Sequence, residues 1–362
     1  MNADFASAMR AVAKLTRAQK LVEATKLIQT TLSGKQLPPT AQDETKEQDR
    51  PPKRPLGFVV NTLRRAKQNL ETPARKSGKG LEIPEGAQFL AGAFTCPAGA
   101  RDYRFYIPSK RGWGRRPLIV MLHGCKQDPV DFAIGTRMNE IAEHNGMFVL
   151  YPAQNNRANP MSCWNWFNPS DQVRDSGEPA IVSGMTRQLI GQHDIDPEKV
   201  FVTGLSAGGA MAAVLGATYP DLFAAIGVHS GLPYKAARDA VSAFAAMRGE
   251  TSAAKKNGAV PRIRTIVFHG DADQTVHPSN AARIITGQAQ PSDLIEELQS
   301  AGRQSYSRKI TRDAYGKIWN EQWLVHGARH GWSGGSSEGS FTDARGPDAS
   351  REMVRFFLEM GR

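Results

Sequence analysis

The sequence predicts an α/β fold, a mostly parallel sheet with helices on both faces. Three observations predict it. Short apolar runs alternate with helical stretches from about residue 89 to the C-terminus. One run, Val200-Phe201-Val202-Thr203, passes through Gly204-Leu205-Ser206-Ala207-Gly208 into a helical stretch. Polar residues suited to catalysis also follow several apolar runs directly, at the strand ends where such sheets bind their ligands.

The elements follow in order. Residues 88–96 and 101–107 read as two strands of a hairpin around a Pro-Ala-Gly turn. A strand at 117–122 precedes a helix near 129–144 and a strand at 148–151. A long loop carries Trp164 and Trp166. A helix near 178–192, the strand and helix around Ser206, and a strand at 224–229 come next. A helix near 234–247 leads to a strand at 263–268. A strand at 323–325 and a closing helix at 348–360 complete the pattern.

The pentapeptide around Ser206 has the G-x-S-x-G form of a nucleophile elbow. Small neighbours let the backbone turn sharply between strand and helix, which leaves the serine hydroxyl exposed. Serine is a weak nucleophile at its own pKa, so a neighbouring imidazole must take its proton. An acidic group must then hold that imidazole in the right tautomer.

Two acids compete, Asp271 and Asp273, both just past the strand at 263–268. The chain must turn back before a carboxylate reaches a histidine, so Asp273 is preferred. Asp271 is expected to bond the turn backbone. The histidines are His326, at a strand end, and His330, in the loop beyond it. A base should come from the loop, which favours His330. His326 and His269 read as strand-end residues bonded to backbone. The order serine, acid, histidine suits the nucleophile-elbow arrangement. The strand at 117–122 runs into His123-Gly124-Cys125. The N–H groups of Cys125 and Ala207 are assigned as the oxyanion hole, which binds the charge of a tetrahedral intermediate.

Five ordered segments carry a family resemblance. They are Leu122-His123-Gly124-Cys125, Ser162-Cys163-Trp164-Asn165-Trp166-Phe167, Gly204-Leu205-Ser206-Ala207-Gly208-Gly209, Phe268-His269-Gly270-Asp271-Ala272-Asp273 and His330-Gly331-Trp332-Ser333-Gly334-Gly335. Together with Gly346-Pro347-Asp348-Ala349-Ser350 and Phe356-Phe357, the chain resembles the polyhydroxybutyrate depolymerase family of esterases. The resemblance runs from about residue 89 onwards. It implies an α/β-hydrolase fold, a Ser206, Asp273, His330 triad and Cys125 as an oxyanion donor. It implies carboxylic-ester substrates, with short-chain polyhydroxyalkanoate esters foremost and feruloyl or acetyl esters of plant polysaccharide as the alternative. It also suggests a disulfide between Cys125 and Cys163, leaving Cys96 as the free thiol. Against that bridge stands a start, Met1-Asn2-Ala3-Asp4, that lacks the basic and apolar regions of a secretory signal. A cytoplasmic location is accordingly favoured, with an extracellular one as the alternative.

The aromatic residues of these segments allow two roles. Trp164, Trp166 and Trp332 can line a crevice for an apolar polyester or an aromatic acyl group. Trp164 and Trp166 can equally pin their long loop to the sheet. Trp332, two residues from His330, is expected in the pocket.

Composition narrows the class. The chain has 362 residues and a net charge of +11. That length suits one large α/β domain with an appendage. No apolar run approaches the length of a bilayer span. The histidines and three cysteines show no metal-ligand spacing, and no Gly-rich phosphate loop is evident. Neither metal nor organic cofactor is expected.

Residues 1–87 form an extension distinct from a catalytic domain at 88–362. The extension holds 16 Lys and Arg against 9 Asp and Glu, a net +7. Residues 4–32 read as a basic helix, 35–56 as a charged linker, and 59–70 as a short amphipathic helix. Such helices suit a polymer granule or an anionic surface. The bland alternative is a solvated appendage. Nucleic acid is not expected, because no aromatic-interleaved basic patch accompanies the charge. The reading as a whole is a serine ester hydrolase acting through an acyl-enzyme. Its rival is a non-catalytic granule-binding protein, against which an intact triad weighs.

Overall fold

The computed structural model describes residues 81–109, 114–250, 262–286, 293–298 and 304–359. The expected helices at 4–32 and 59–70 and the linker at 35–56 lie outside the described residues.

The chain first forms a hairpin of β1 (Gln88–Cys96) and β2 (Gly99–Ile107), with Cys96 opposite Gly99. Eight further strands join it: β3 (Arg116–Leu122), β4 (Phe148–Pro152), β5 (Ile195–Leu205), β6 (Ala225–His229), β7 (Arg264–Gly270), β8 (Asp293–Leu298), β9 (Tyr306–Arg312) and β10 (Ile318–Val325). The sheet order is β1-β2-β4-β3-β5-β6-β7-β10-β9-β8. From β4 to β10 the pairings are parallel, and the outer ones are antiparallel. The carboxyl ends of β3, β5, β6, β7 and β10 therefore share one edge. Past that edge, β11 (Trp332–Ser333) and β12 (Thr342–Asp343) make a short parallel pair.

Alternation along each central strand divides the core into two layers. Leu118, Val120 and Leu122 of β3 pack with Val182 and Met185 of α3 (Gly177–Gln192) and Val214 of α4 (Ala207–Thr218). Ile119 and Met121 face the other way. They join Phe132 of α1 (Pro129–Thr136) and Phe356 and Phe357 of α7 (Ala349–Leu358). Each large apolar side chain so buried contributes about 1.5–3 kcal/mol. No helix among the described residues is long and apolar enough to cross a membrane.

Several elements differ from the sequence expectation. The helix expected at 129–144 is two helices, α1 and α2 (Met138–Asn145), because Arg137 takes a left-handed φ of 52° between them. The helix expected from residue 234 begins only at Ala240, as α5 (Ala240–Met247). Asp239 and Ser242 form a reciprocal capping box that fixes the start there. β5 begins at Ile195, and β10 at Ile318. The expected pattern also lacked α6 (Ser279–Thr286) and the antiparallel strands β8 and β9.

Candidate active site

Ser206 follows β5 directly and precedes α4. Its φ of 57° and ψ of −117° place a non-glycine residue in a strained region. Its N–H donates to the His229 carbonyl at 2.9 Å, which ties the elbow to the end of β6. The flanking glycines are steric requirements. A Cβ on Gly204 would lie 2.5 Å from the Leu122 carbonyl oxygen, and one on Gly208 would overlap the same oxygen. Either substitution would push the elbow off β3.

Asp273 lies past β7 and His330 past β10. Their parallel pairing sets Gly270 beside Val325, so both loops leave the sheet together. Oδ2 of Asp273 accepts from His330 Nδ1 at 2.7 Å. Oδ1 accepts from the N–H groups of Thr275 and Val276, both at 2.9 Å. Burial alone would raise the Asp273 pKa. Hydrogen bonds from His269 and His330 outweigh it and hold the carboxyl well below the usual range. Asp273 is therefore ionised at neutral pH, and the His330 proton sits on Nδ1.

The competing residues occupy a different array. Asp271 accepts from the Gly327 N–H at 2.7 Å and meets His326 Nδ1 at 3.0 Å. His326 Nε2 lies 2.8 Å from Ser307 Oγ. This corrects the expectation that Asp271 would bond its own turn and that His326 would bond backbone. The array repeats the residue types of a triad. Ser307, however, is an ordinary residue within β9 rather than at an elbow, so its hydroxyl lacks a strained, presented geometry. The group serves to join the two loops. His269 does bond backbone, with Nε2 at 2.8 Å from the Val276 carbonyl.

All three tryptophans are buried, so Trp164 and Trp166 take the loop-pinning role of the two left open, and the pocket-lining expectation for Trp332 is corrected. Trp164 Nε1 donates to the His123 carbonyl at 3.1 Å. Trp166 packs edge-on against Phe167, and its carbonyl accepts from Gln172 Nε2. Trp332 stacks on His229 and donates to Ser350 Oγ at 3.0 Å. They pin loops to the sheet. Apolar side chains that stay open near these loops include Met161, Val173 and Phe341, each a little under half exposed. The Met161 carbonyl accepts from the Lys126 N–H, and the Phe341 carbonyl from the Trp332 N–H.

Cys125 and Cys163 are joined by a disulfide, and Cys96 is free. The bridge ties the loop after β3 to the Trp164 loop, 38 residues on. Removing it through Cys125→Ser/Cys163→Ser should cost about 3–4 kcal/mol on the chain-entropy account. A thermal melt checks this, and an unchanged melting temperature would contradict it.

Two buried histidines were not singled out in the sequence. His229 accepts from the Ser333 N–H at 2.9 Å. Burial, then the nearby imidazoles of His269 and His330, push its pKa down to about 3. It is neutral, and it links the elbow to the segment after His330. His123, at the end of β3, is wholly buried, and burial lowers its pKa as well. Both could have been suspected, since each is a polar residue ending an apolar strand.

These features match known proteins. The family model described as Esterase PHB depolymerase matches residues 101–308, more than half of the chain. The chain is 33% identical over 234 residues to poly(3-hydroxyalkanoate) depolymerase C of Paucimonas lemoignei, covering 59% of this chain and 55% of that protein. It is 29% identical over 201 residues to feruloyl esterase B of Neurospora crassa, covering 50% of this chain and 66% of that protein. The chain thus spans about half the length of the depolymerase it matches. Its fold is similar to that of an acetyl xylan esterase from Aspergillus awamori. The TM-score is 0.54 at 21% identity, over 67% of this chain and 93% of that one. An α/β-hydrolase sheet with a serine elbow, and a family model spanning β2 to β9, lead to one conclusion: this chain belongs to the Esterase PHB depolymerase family.

Proposed function

We propose that the chain is a serine ester hydrolase acting through an acyl-enzyme. The observation that carries this reading is the Asp273–His330 pair at 2.7 Å, set at the same sheet edge as the strained Ser206 elbow. Ser206 Oγ attacks the ester carbonyl carbon while His330 Nε2 takes its proton. The resulting oxyanion is met by the N–H groups of Cys125 and Ala207. The intermediate collapses as His330 returns the proton to the departing alcohol. Water, deprotonated by His330, then frees the acid and Ser206.

Short-chain hydroxyalkanoate esters of the polyhydroxybutyrate type are the preferred substrates, in line with the likeness to the Paucimonas depolymerase. Met161 and Phe341, exposed apolar groups on the loops around Cys163 and Trp332, are proposed to meet such an acyl chain. Feruloyl or acetyl esters of polysaccharide are the second reading, supported by the likeness to feruloyl esterase B. A panel separates them: p-nitrophenyl acetate and butyrate, hydroxybutyrate oligomers, amorphous polymer and methyl ferulate. The first reading expects oligomers to surpass methyl ferulate in kcat/KM, with Met161→Ala and Phe341→Ala raising KM for the oligomers. The reverse ranking would favour the second.

The basic extension at 1–87 is proposed to hold the catalytic domain, 88–362, near particulate or anionic substrate. Tethering raises local substrate concentration without altering the site. Deleting residues 1–80 should leave soluble-ester turnover unchanged and weaken binding to polymer granules, by a margin that shrinks as added salt screens the basic extension. Equal granule binding by both forms would defeat the idea.

A further inference from the structure

We infer that Lys126 is a specificity residue for anionic substrates: its ammonium receives the free carboxylate of a short hydroxyalkanoate oligomer, so that the ester nearest that end is cleaved in preference. This rests on the proposed acyl-enzyme reading and narrows its substrate class.

The residue stands where glycine is expected. The Gln127 N–H donates to the Gly124 carbonyl at 3.3 Å, which closes a turn over Gly124-Cys125-Lys126-Gln127. Lys126, third in that turn, has a φ of 64°, and Cys125 before it does not share the positive φ. This is the pattern of a type II turn, whose third position calls for glycine or asparagine. A long side chain there strains the backbone and does nothing for the turn itself. A strained non-glycine residue beside a catalytic group points to work done by its side chain.

The turn lies against the nucleophile. Leu122 of β3 pairs with Gly204 of β5. A Cβ on Gly124 would lie 3.5 Å from the carbonyl oxygen of Leu205, the residue before Ser206. The disulfide fixes Cys125, and the Lys126 N–H donates to the Met161 carbonyl at 2.8 Å. The backbone of Lys126 is thus held one residue past the proposed oxyanion donor. Its side chain is exposed, as is that of Met161. Adjacent Cα atoms are about 3.8 Å apart, so a flexible four-carbon stem brings the ammonium within reach of a substrate seated at Ser206.

The charge is uncommitted. Among the described residues no carboxylate pairs with the Lys126 ammonium. The acids nearest in sequence are engaged by other groups. Asp128 Oδ1 caps α1 by accepting from the Val130 and Asp131 N–H groups, at 2.8 and 2.9 Å. Asp131 accepts from the Ser340 N–H and from Gln127 Nε2, both at 3.0 Å. The substrate supplies the complement. In a hydroxybutyrate dimer the departing alcohol carries a carboxylate two carbons beyond the carbon that bears the departing oxygen. Pairing an exposed ammonium with that anion is worth about fivefold in affinity at most, and salt screens it.

The test compares the hydroxybutyrate dimer as free acid with its primary amide, which holds the same single ester and no charge. Wild type should favour the acid in kcat/KM by about fivefold at low salt, through KM, and lose that preference at about 0.5 M sodium chloride. Lys126→Gly, which suits the turn, should bring the ratio close to one without lowering the melting temperature. Lys126→Arg should keep the preference, and Lys126→Glu should reverse it. Lys317→Gln removes the same charge from the turn before β10, at the opposite edge of the sheet, and should keep the wild-type ratio. A Lys126→Gly ratio equal to that of wild type would overturn the inference. An equal fall in Lys317→Gln would also overturn it, by assigning the preference to the net charge of +11. So would a wild type that hydrolyses p-nitrophenyl butyrate but cleaves acid and amide alike, or neither. Failure of the acyl-enzyme reading looks different, because Ser206→Ala would then cleave these esters as wild type does.

Discussion

Ser206→Ala and His330→Ala should each bring ester turnover down by on the order of a million-fold in kcat. The size follows from the proposed division of labour. Without Ser206 there is no atom to carry the acyl group. Without His330 the hydroxyl keeps its proton at neutral pH. The double substitution should be little worse than either alone, because neither group works without the other. Asp273→Asn should lose about 10⁴-fold, since an amide cannot hold the Nδ1–H tautomer that frees Nε2. Asp271→Asn supplies the contrast. Its partner His326 is 39% exposed, and an accessible pair of this kind contributes at most about 1 kcal/mol. That variant should keep substantial activity. Steady-state kinetics on p-nitrophenyl butyrate measures all five. Turnover near wild type in Ser206→Ala would remove the mechanism, and an inactive Asp271→Asn with normal Asp273→Asn would exchange the two acids.

Much of this was legible before the structure, for a definable reason. The strands that place Ser206, Asp273 and His330 are short apolar runs ended by glycine and polar residues, and such runs are conspicuous in sequence. Their shared edge follows from parallel pairing alone. What escaped reading was whatever depends on contacts distant in sequence. β9 (Tyr306–Arg312) carries Arg308, Lys309 and Arg312, so it shows no apolar pattern. It forms because β10 offers an open edge. Arg308 pairs with the buried Glu321 of that strand at 2.9 Å. The break at Arg137 likewise depends on a left-handed residue that propensity does not single out. The tryptophans misled because an aromatic near a catalytic motif reads the same whether it faces a pocket or a core. Only partners such as the Ser350 hydroxyl and the His123 carbonyl tell the two apart. His123 and His229 were overlooked for a related reason: their work is done through backbone groups, which no side-chain motif records.

The second large effect should appear at Glu178. This carboxylate is buried in α3 beneath the Trp164 loop. Oε2 accepts from the Asn165 N–H at 2.7 Å and Oε1 from Asn165 Nδ2 at 2.8 Å. Oε1 also meets Gln154 Nε2 and the Arg101 guanidinium, the latter at 3.2 Å. Burial, and then the like charge of Asp171, raise its pKa, while the donors and Arg101 pull it down less. The sign has a consequence. An acid whose folded-state value is raised favours the folded protein at low pH, and that contribution is lost as pH rises through the folded value. Mild acid should therefore not weaken the protein through this group. Removing it is another matter. Glu178→Ala leaves the nearly buried Arg101 without its carboxylate and frees the donors of Asn165 and Gln154. Breaking one side of a buried pair costs about 3–5 kcal/mol. Glu178→Gln should cost less, but its amide NH₂ must face a donor where an oxygen now accepts. The damage should extend to catalysis, because Gln154 also bonds His123 through its N–H. Chemical denaturation should show the loss of stability in the order Ala, then Gln, then wild type. Esterase assays well below the melting range should show lower kcat with KM little changed. A Glu178→Ala protein as stable as wild type would mean that Arg101 finds water or another partner, and that the loop is held by the disulfide and Trp164 without it.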